Sequence, residues 1–436
     1  MVSYIKEGYF MQKKKILFII PYFPYPMKTG GHVALFYSIM SVKDDFDVFV
    51  VYEAIDDDEY RRYEKEFLNI IPEAHLFPCF IQFNKTPEYP SWYRFISGIK
   101  ESIGKAIRKE KNTVQIEEAK MQDMCSVWLK TSYPLGKRWL EHILKLCADY
   151  YFDIIQVEML CIVSQILTLP KASRKIFVHH ELGFVRRELE QSKFECNQYS
   201  KACKGFSDMA EIGLLNMYDA IITLSPIDKE KLMQKGVTVP IHSSFASINI
   251  PKNHVSSVGN GKHLSFVGPD SHAPNLIGLT WFLNNCWKTI RATDENYRLS
   301  IIGEWSPTHI REFTSKYPNV EFLGFVDNLE NAIKGSIMIV PITIGSGIRM
   351  KILEACSYGV PFVSTTIGAE GIPLENGKHC FIADSQEMFA KKIIELQDLS
   401  IQKKFVENSH ALVVNYYSQE ALKKNRLNIY EQVLAG

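Results

Sequence analysis

Little in the composition ties this chain to a class. Its 50 Lys and Arg are balanced by 49 Asp and Glu, a net charge of +1, so no overall field favours nucleic acid or an acidic substrate. An Arg-rich arm and zinc-finger spacing are both lacking. The nine cysteines, at 79, 125, 147, 161, 196, 203, 286, 356 and 380, are scattered and form no CxxC. They read as reduced, mostly buried thiols of a cytosolic protein, Cys161 and Cys356 among them. Cys196 and Cys203 are the only close pair and have no histidine nearby, which makes a poor zinc site. No stretch reaches the roughly 18–20 apolar residues of a membrane span. Ile16–Phe23, behind Lys13-Lys14-Lys15, imitates a secretory leader. It contains Pro21 and leads to no small-residue cleavage site, so it is expected to be a strand instead. Solenoid repeats and low-complexity tracts are missing as well.

What is present is a rhythm. With 436 residues, 46% of them hydrophobic and 23% charged, the chain suits two folded domains. Short, nearly continuous apolar runs alternate with helical patterns. The runs at 16–23, 46–52, 152–158, 175–179 and 219–224 have the character of parallel strands buried on both faces. Residues 245–262, rich in Ser, Asn, Gly and Pro, interrupt the rhythm and read as a linker. The alternation then resumes with strands at 263–268, 297–303, 320–325, 336–342 and 361–365. The expectation is an α/β chain of two Rossmann-like domains with parallel sheets: an acceptor domain at 1–245, a donor domain at 246–418, and a last helix at 419–436. In such sheets ligands bind beyond the carboxyl ends of the strands.

The stretch VPITIGSGIRMKILEACSYGVPFVST (340–365) is apolar yet carries Arg349, Lys351 and Glu354 just behind Gly345-Ser346-Gly347. As a helix capped by Ser346, its Ile348, Ile352, Ala355 and Cys356 would face the sheet, and Gly359 would end it. Glu354 would lie some two turns in. A bare Lys351–Glu354 pair is worth only about 0.2–0.5 kcal/mol and leaves the glycines unexplained. Backbone amides at a helix start, flanked by Arg349 and Lys351, would instead bind an anion, and Glu354 would accept hydrogen bonds from vicinal sugar hydroxyls. The loop IGAEG, with Gly368 and Gly371, follows the next strand and would offer its amides to the same anion.

This stretch resembles the donor-site signature of the retaining glycosyltransferases of group 1 (family 4), which have the GT-B fold. FVGPDSHAPN (266–275), LSIIGEW (299–305), FLGFVDNLENAI (322–333) and NGKHCFIADSQEMFAKKI (376–393) are similar to the same family at this spacing. The resemblance implies transfer of a sugar from a nucleotide-diphosphate sugar to a glycan or lipid-linked acceptor hydroxyl, with retention. It also implies no resident cofactor and no essential metal. Residue by residue, it implies that Glu354 holds the ribose hydroxyls and that Gly368, Ala369 and Glu370 meet the diphosphate and donor sugar. Gly303 and Val326 would approach the nucleotide from strand ends, with Gly347, Arg349 and Lys351 at the diphosphate. Gly30 and Gly31 resemble the glycines of the first loop, and His179 and His180, in VHHE, the histidine region near the reacting sugar; of the two, His179 is favoured. The final helix would pack back toward the first domain. Bacterial surface polysaccharide synthesis is the family's common setting. Two other readings are a non-catalytic nucleotide-sugar-binding relative and an epimerase on the same fold.

The sequence departs from the family in two places. The first of two glutamates separated by seven residues, the second being Glu354, would fall at Ser346. The segment GPDSHAPN lacks the Arg and Lys that bind the diphosphate, a role open to Arg349 and Lys351. Asp56-Asp57-Asp58 contains a D-x-D, but an acidic run opening a helix is the simpler reading. Gly259-Asn260-Gly261-Lys262 precedes a strand and is not a P-loop, and Gly345-x-Gly347 lacks the third glycine of a dinucleotide fingerprint. Asp384-x-x-Glu387 reads as helix capping. Arg186-Arg187 reads as a solvated helix face. Residues 91–111 pattern as an amphipathic basic helix, packed on the first sheet or, as a second reading, in peripheral contact with the inner face of the membrane.

Overall fold

The structure is a computed structural model and describes residues 13–27, 29–54, 57–80, 125, 128–129, 135–192, 197–251, 257–345 and 347–436. Ser346, Asp56, Cys196 and the basic stretch 91–111 lie outside the described residues.

Two parallel sheets form in succession. The first contains β1 (Lys14–Ile19), β2 (Phe46–Ala54), β3 (His75–Phe80), β4 (Ile154–Glu158), β5 (Arg174–His179), β6 (Ala220–Thr223) and β7 (Ile241–Ser243), in the order β3-β2-β1-β4-β5-β6-β7. The second contains β8 (His263–Val267), β9 (Arg298–Ile302), β10 (Val320–Gly324), β11 (Ile337–Val340), β12 (Phe362–Ser364) and β13 (Phe381–Ile382), in the order β10-β9-β8-β11-β12-β13. Three strands were not anticipated. β3 contains Pro78 and sits at an edge, where a missing amide is tolerated. β7 and β13 have three and two residues, too few to show a pattern.

The helices are α1 (Gly30–Met40), α2 (Asp58–Ile70), α3 (Lys137–Asp149), α4 (Gly183–Gln191), α5 (Gln198–Leu215), α6 (Pro226–Gln234), α7 (Ala273–Asn285), α8 (Trp287–Thr293), α9 (Pro307–Lys316), α10 (Leu329–Ile333), α11 (Met350–Ser357), α12 (Thr366–Ala369), α13 (Gln386–Glu395), α14 (Leu399–Tyr417) and α15 (Gln419–Ala435). They cover both faces of each sheet, because successive strand residues point to opposite sides. On β1, Ile16 and Phe18 join one core with Leu35 of α1 and Phe67 of α2, while Leu17 and Ile19 join another with Trp139 and Ile143 of α3. Leu264, Phe266, Leu299 and Ile301 pack with α7, α8 and α13 on one side of the second sheet. Met338, Val340 and Phe362 pack with α11 and α14 on the other. α15 leaves the second domain: its Leu422, Ile429, Tyr430 and Val433 complete the core beneath α1 and α2.

Capping sets several boundaries. Asp57 accepts from the Tyr60 amide at the start of α2, so the acidic run serves its helix. Ser385, rather than Asp384, caps α13. Asp384 instead accepts from the amide and hydroxyl of Thr366, at 2.8 and 2.6 Å. Among the described residues no helix is long and apolar enough to cross a membrane.

Candidate active site

In each sheet the strand order reverses once, between β1 and β4 and between β8 and β11. Loops on either side of such a point splay apart and leave a crevice at the carboxyl edge. The two crevices face one another. A Cβ on Gly30, which opens α1 after β1, would lie 2.8 Å from Met350 Cγ of α11. A Cβ on Gly347 would lie 2.5 Å from the carbonyl oxygen of His180. Lys231 of α6 pairs with Glu370 across the seam at 2.5 Å. The domains are therefore closed on each other at the positions the sequence singled out.

The 341–349 loop is shaped by glycine. Gly345 has φ +117° and Gly347 φ +80°, a region that side chains disfavour. α11 begins only at Met350, with Arg349 in the N-cap position and no side-chain cap. The expected cap at Ser346 is thus displaced by three residues, to Arg349, and Glu354 sits one turn into the helix, not two. Arg349 Nη1 donates to the Gly347 carbonyl at 2.6 Å and braces the loop. Lys351 does not pair with Glu354. Its ammonium donates to Asn275 Oδ1 at 2.8 Å and lies 4.8 Å from the Phe266 ring centre. Asn275 in turn donates to the Pro269 carbonyl at 3.0 Å. Lys351 thereby brings a cation to the GPDSHAPN loop, which has none of its own.

The electrostatics of this helix turn are unusual. Burial, with the nearby Arg349 charge, pushes Lys351 down to about 7, against the pull of Glu354. Burial pushes Glu354 up to about 7, opposed by Lys351. Burial also lowers Arg349, although Glu181, Glu370 and Asp228 favour its charge. Cations and a carboxylate are crowded where water is scarce, the condition in which ionisation responds to a ligand.

The other sequence candidates divide. Gly303, at φ +127°, lets the turn after β9 approach that after β8: a Cβ there would be 2.8 Å from the Gly268 carbonyl carbon. Val326 packs against the α11 core beyond the end of β10. Gly31 adjoins the Tyr22 hydroxyl. In the IGAEG loop the amides of Gly368, Ala369 and Glu370 are already engaged within α12, with Thr365 Oγ1 at 2.9 Å, Thr365 O at 3.0 Å and Ile367 O at 3.4 Å. Those amides do not face the cleft as free donors; the loop's contribution there is the Glu370 carboxylate.

The adjacent histidines part company, as alternation on a strand requires. The His179 side chain is fully buried and meets Glu211 Oε1 at 3.1 Å. Glu211 also receives the Gly183 amide at 3.0 Å and an ion pair from Arg187, which pairs with Asp208 at 2.7 Å. Burial alone would raise Glu211, but His179 and Arg187 outweigh it and hold it low. His179 is therefore enclosed in the core of the first domain. Arg187, read as solvated, is 3% exposed for the same reason. His180 keeps part of its ring accessible, and its backbone meets the Gly347 loop. Cys161, read as buried, is corrected: it is exposed.

Sequence reasoning missed Glu158, Lys231 and Asn275. Glu158 had a legible signal, a carboxylate ending a parallel strand that is apolar apart from Gln156. Among the described residues no group of three metal-ligating side chains gathers. A hollow of about 300 Å³ lined by Asn285, Thr289, Gln386, Glu387, Lys391 and Ile394 lies on the second domain at α7, α8 and α13, apart from the switch points.

Comparison with known proteins agrees with this geometry. Residues 261–398 match the family model described as glycosyl transferases group 1. A 44.6 kDa protein in the cps region of Klebsiella pneumoniae is 24% identical over 293 residues, covering 64% of this chain and 73% of that protein. S. aureus TarM, solved with fondaparinux, alpha-GlcNAc-glycerol and UDP, superposes with a TM-score of 0.67 at 12% identity, over 95% of this chain and 99% of that one. Anabaena HepE with UDP gives 0.62 at 13% identity over 96% and 100%. Sucrose-phosphate synthase of Thermosynechococcus elongatus gives 0.66 at 14% identity over 97% and 100%. At these identities the structural likeness shows the fold of the whole chain, and the family match identifies the second domain. Together they give the chain a GT-B fold whose second domain matches the glycosyl transferases of group 1.

Proposed function

We propose that the chain moves a sugar from a nucleotide-diphosphate sugar to an acceptor hydroxyl with retention, in surface polysaccharide synthesis. The observation that carries this reading is the helix turn Arg349–Glu354 at the second switch point, where Lys351 and Glu354 are both displaced to about 7 by burial. A diphosphate beside Arg349 and Lys351 would compensate their charge, and ribose hydroxyls would donate to Glu354. As the glycosidic bond breaks, negative charge grows on the diphosphate. Cations fixed in a water-poor seam stabilise that charge without reorganising, so the mechanism relies on them in place of an essential metal. Glu370, tied to Lys231 of the facing domain, links donor binding to closure, which keeps water from the activated sugar. His180 stands opposite, from the acceptor domain. The cps relative supports the polysaccharide setting, and the ligands of TarM and HepE support a nucleotide-sugar donor. Work on a nucleotide sugar sets the protein in the cytoplasm, near the inner face of the membrane when the acceptor is lipid-linked.

The test is calorimetric binding of UDP-, GDP- and ADP-sugars, followed by NMR detection of the anomer first released on slow hydrolysis. Binding of one nucleotide class and release of the donor's own anomer are expected. Binding by Glu354→Ala indistinguishable from the parent would sink the donor-site assignment, and the opposite anomer would sink retention.

A further inference from the structure

Beneath His180 lies a buried polar chain that the proposed mechanism does not use. His180 Nε2 meets Glu158 Oε2 at 2.7 Å. The other oxygen, Glu158 Oε1, accepts from Ser38 Oγ of α1 at 2.8 Å and from Gln156 Nε2 at 2.6 Å. Gln156 Oε1 accepts from the Tyr430 hydroxyl of α15 at 2.5 Å. Gln156, Glu158 and Tyr430 are completely buried. Arg426, one turn before Tyr430, is 2% exposed, and its Nε and Nη1 have no hydrogen-bond partner among the described residues.

An arginine buried in this way is costly unless its charge acts on something. The carboxylate of Glu158 is what it acts on. Burial works to neutralise that carboxylate, but the hydrogen bond from His180, the charge of Arg426 and the Ser38 hydroxyl together hold it ionised. An anion fixed at Nε2 requires that nitrogen to carry a proton. In the neutral ring the lone pair then sits on Nδ1, leaving that nitrogen for a ligand.

We infer that Glu158, held by Ser38 and Gln156 and by Tyr430 and Arg426 of the last helix, is a positioning residue that fixes the ring and tautomer of His180 at the cleft. The helix that returns from the donor domain thus serves the acceptor side of the reaction as well as its core. A hydroxyl of the bound sugar or acceptor would donate to Nδ1. The catalytic consequence rests on the glycosyltransferase reading; the ring geometry does not.

The experiment uses the full chain labelled with ¹⁵N-histidine, with the His180 signals assigned by His180→Gln. Long-range ¹H–¹⁵N spectra report the tautomer, and hydrolysis of UDP-glucose and UDP-GlcNAc reports turnover. In the parent the Nε2–H form is expected. Glu158→Gln and Arg426→Met should give mixed tautomers and a kcat lower by roughly ten- to a hundred-fold with KM little changed. Arg426→Lys, which restores the charge, should recover both. If Glu158→Gln does not fold, Tyr430→Phe removes a single hydroxyl and should move both readouts in the same direction by roughly three- to ten-fold. A His180 tautomer unaltered in the folded Glu158→Gln protein, or in Tyr430→Phe when that protein does not fold, overturns the inference. If the parent hydrolyses neither donor, the spectra still decide the positioning role, and the loss falls on the functional reading alone.

Discussion

Replacing Glu354 by Gln should make the unliganded protein more stable and its nucleotide binding weaker. The folded carboxyl titrates at about 7 and the unfolded one near 4.5. Between those values the folded state keeps a proton that the unfolded state has lost. The group's contribution to stability therefore falls as pH rises from about 4.5 and levels off above about 7. At about 1.4 kcal/mol per pH unit, the penalty at pH 8 approaches about 3 kcal/mol. This is an upper bound, because the residue retains some solvent contact. Glutamine has the same shape and no charge, so parent and variant should be about equally stable near pH 4.5. The variant should pull ahead toward the full amount by about pH 8. Urea unfolding across that range measures the gap. UDP titrated at about pH 8 should bind the variant roughly ten- to a hundred-fold more weakly, the worth of hydrogen bonds to a charged group. A stability gap that stays flat with pH would refute the reasoning, since it would mean Glu354 is solvated like any surface carboxylate.

Gly347→Ala should cost about 1–2 kcal/mol of backbone strain but abolish measurable UDP binding, because its methyl meets the His180 carbonyl and holds the seam open; small-angle scattering should show a larger radius. His179→Ala should lower stability by about 3 kcal/mol by leaving Glu211 and Arg187 buried and incompletely paired, with donor hydrolysis per folded molecule kept. His180→Ala should do the reverse, with turnover lost and denaturant midpoint little moved. Lys231→Met should alter stability by less than about 1 kcal/mol, since the pair with Glu370 is partly solvated. It should also weaken the salt dependence of donor hydrolysis, as measured by initial rates.

Much of the fold was legible because parallel strands buried on both faces leave long apolar runs, and because each sheet repeats the same β–α period. The switch-point loops were legible for the same reason: Gly30, Gly345 and Gly347 stand directly behind such runs. What was not legible depended on contacts between distant segments. Nothing near Lys351 in the sequence indicates that its ammonium belongs to Asn275 and not to Glu354, three residues away. His179 and His180 are equivalent on paper, and only the direction of each ring relative to the sheet gives one to the core and the other to the cleft. Arg187 looks like half of a solvated basic pair until Glu211, on another helix, is placed beside it. The engagement of the Gly368 and Ala369 amides followed from a hydroxyl at Thr365 that turns a loop into a short helix.

The path of α15 also has a consequence for synthesis. The sheet of the first domain is complete in sequence at Ser243, yet Leu422, Ile429, Tyr430 and Val433 of its core come last. At the usual pace of translation, about 5–20 residues per second, that domain waits roughly ten to forty seconds with one apolar face uncovered. Its hydrophobic debt is settled only when the second domain has emerged. A stop codon shortly before Leu422 would therefore strike hardest at the domain made first.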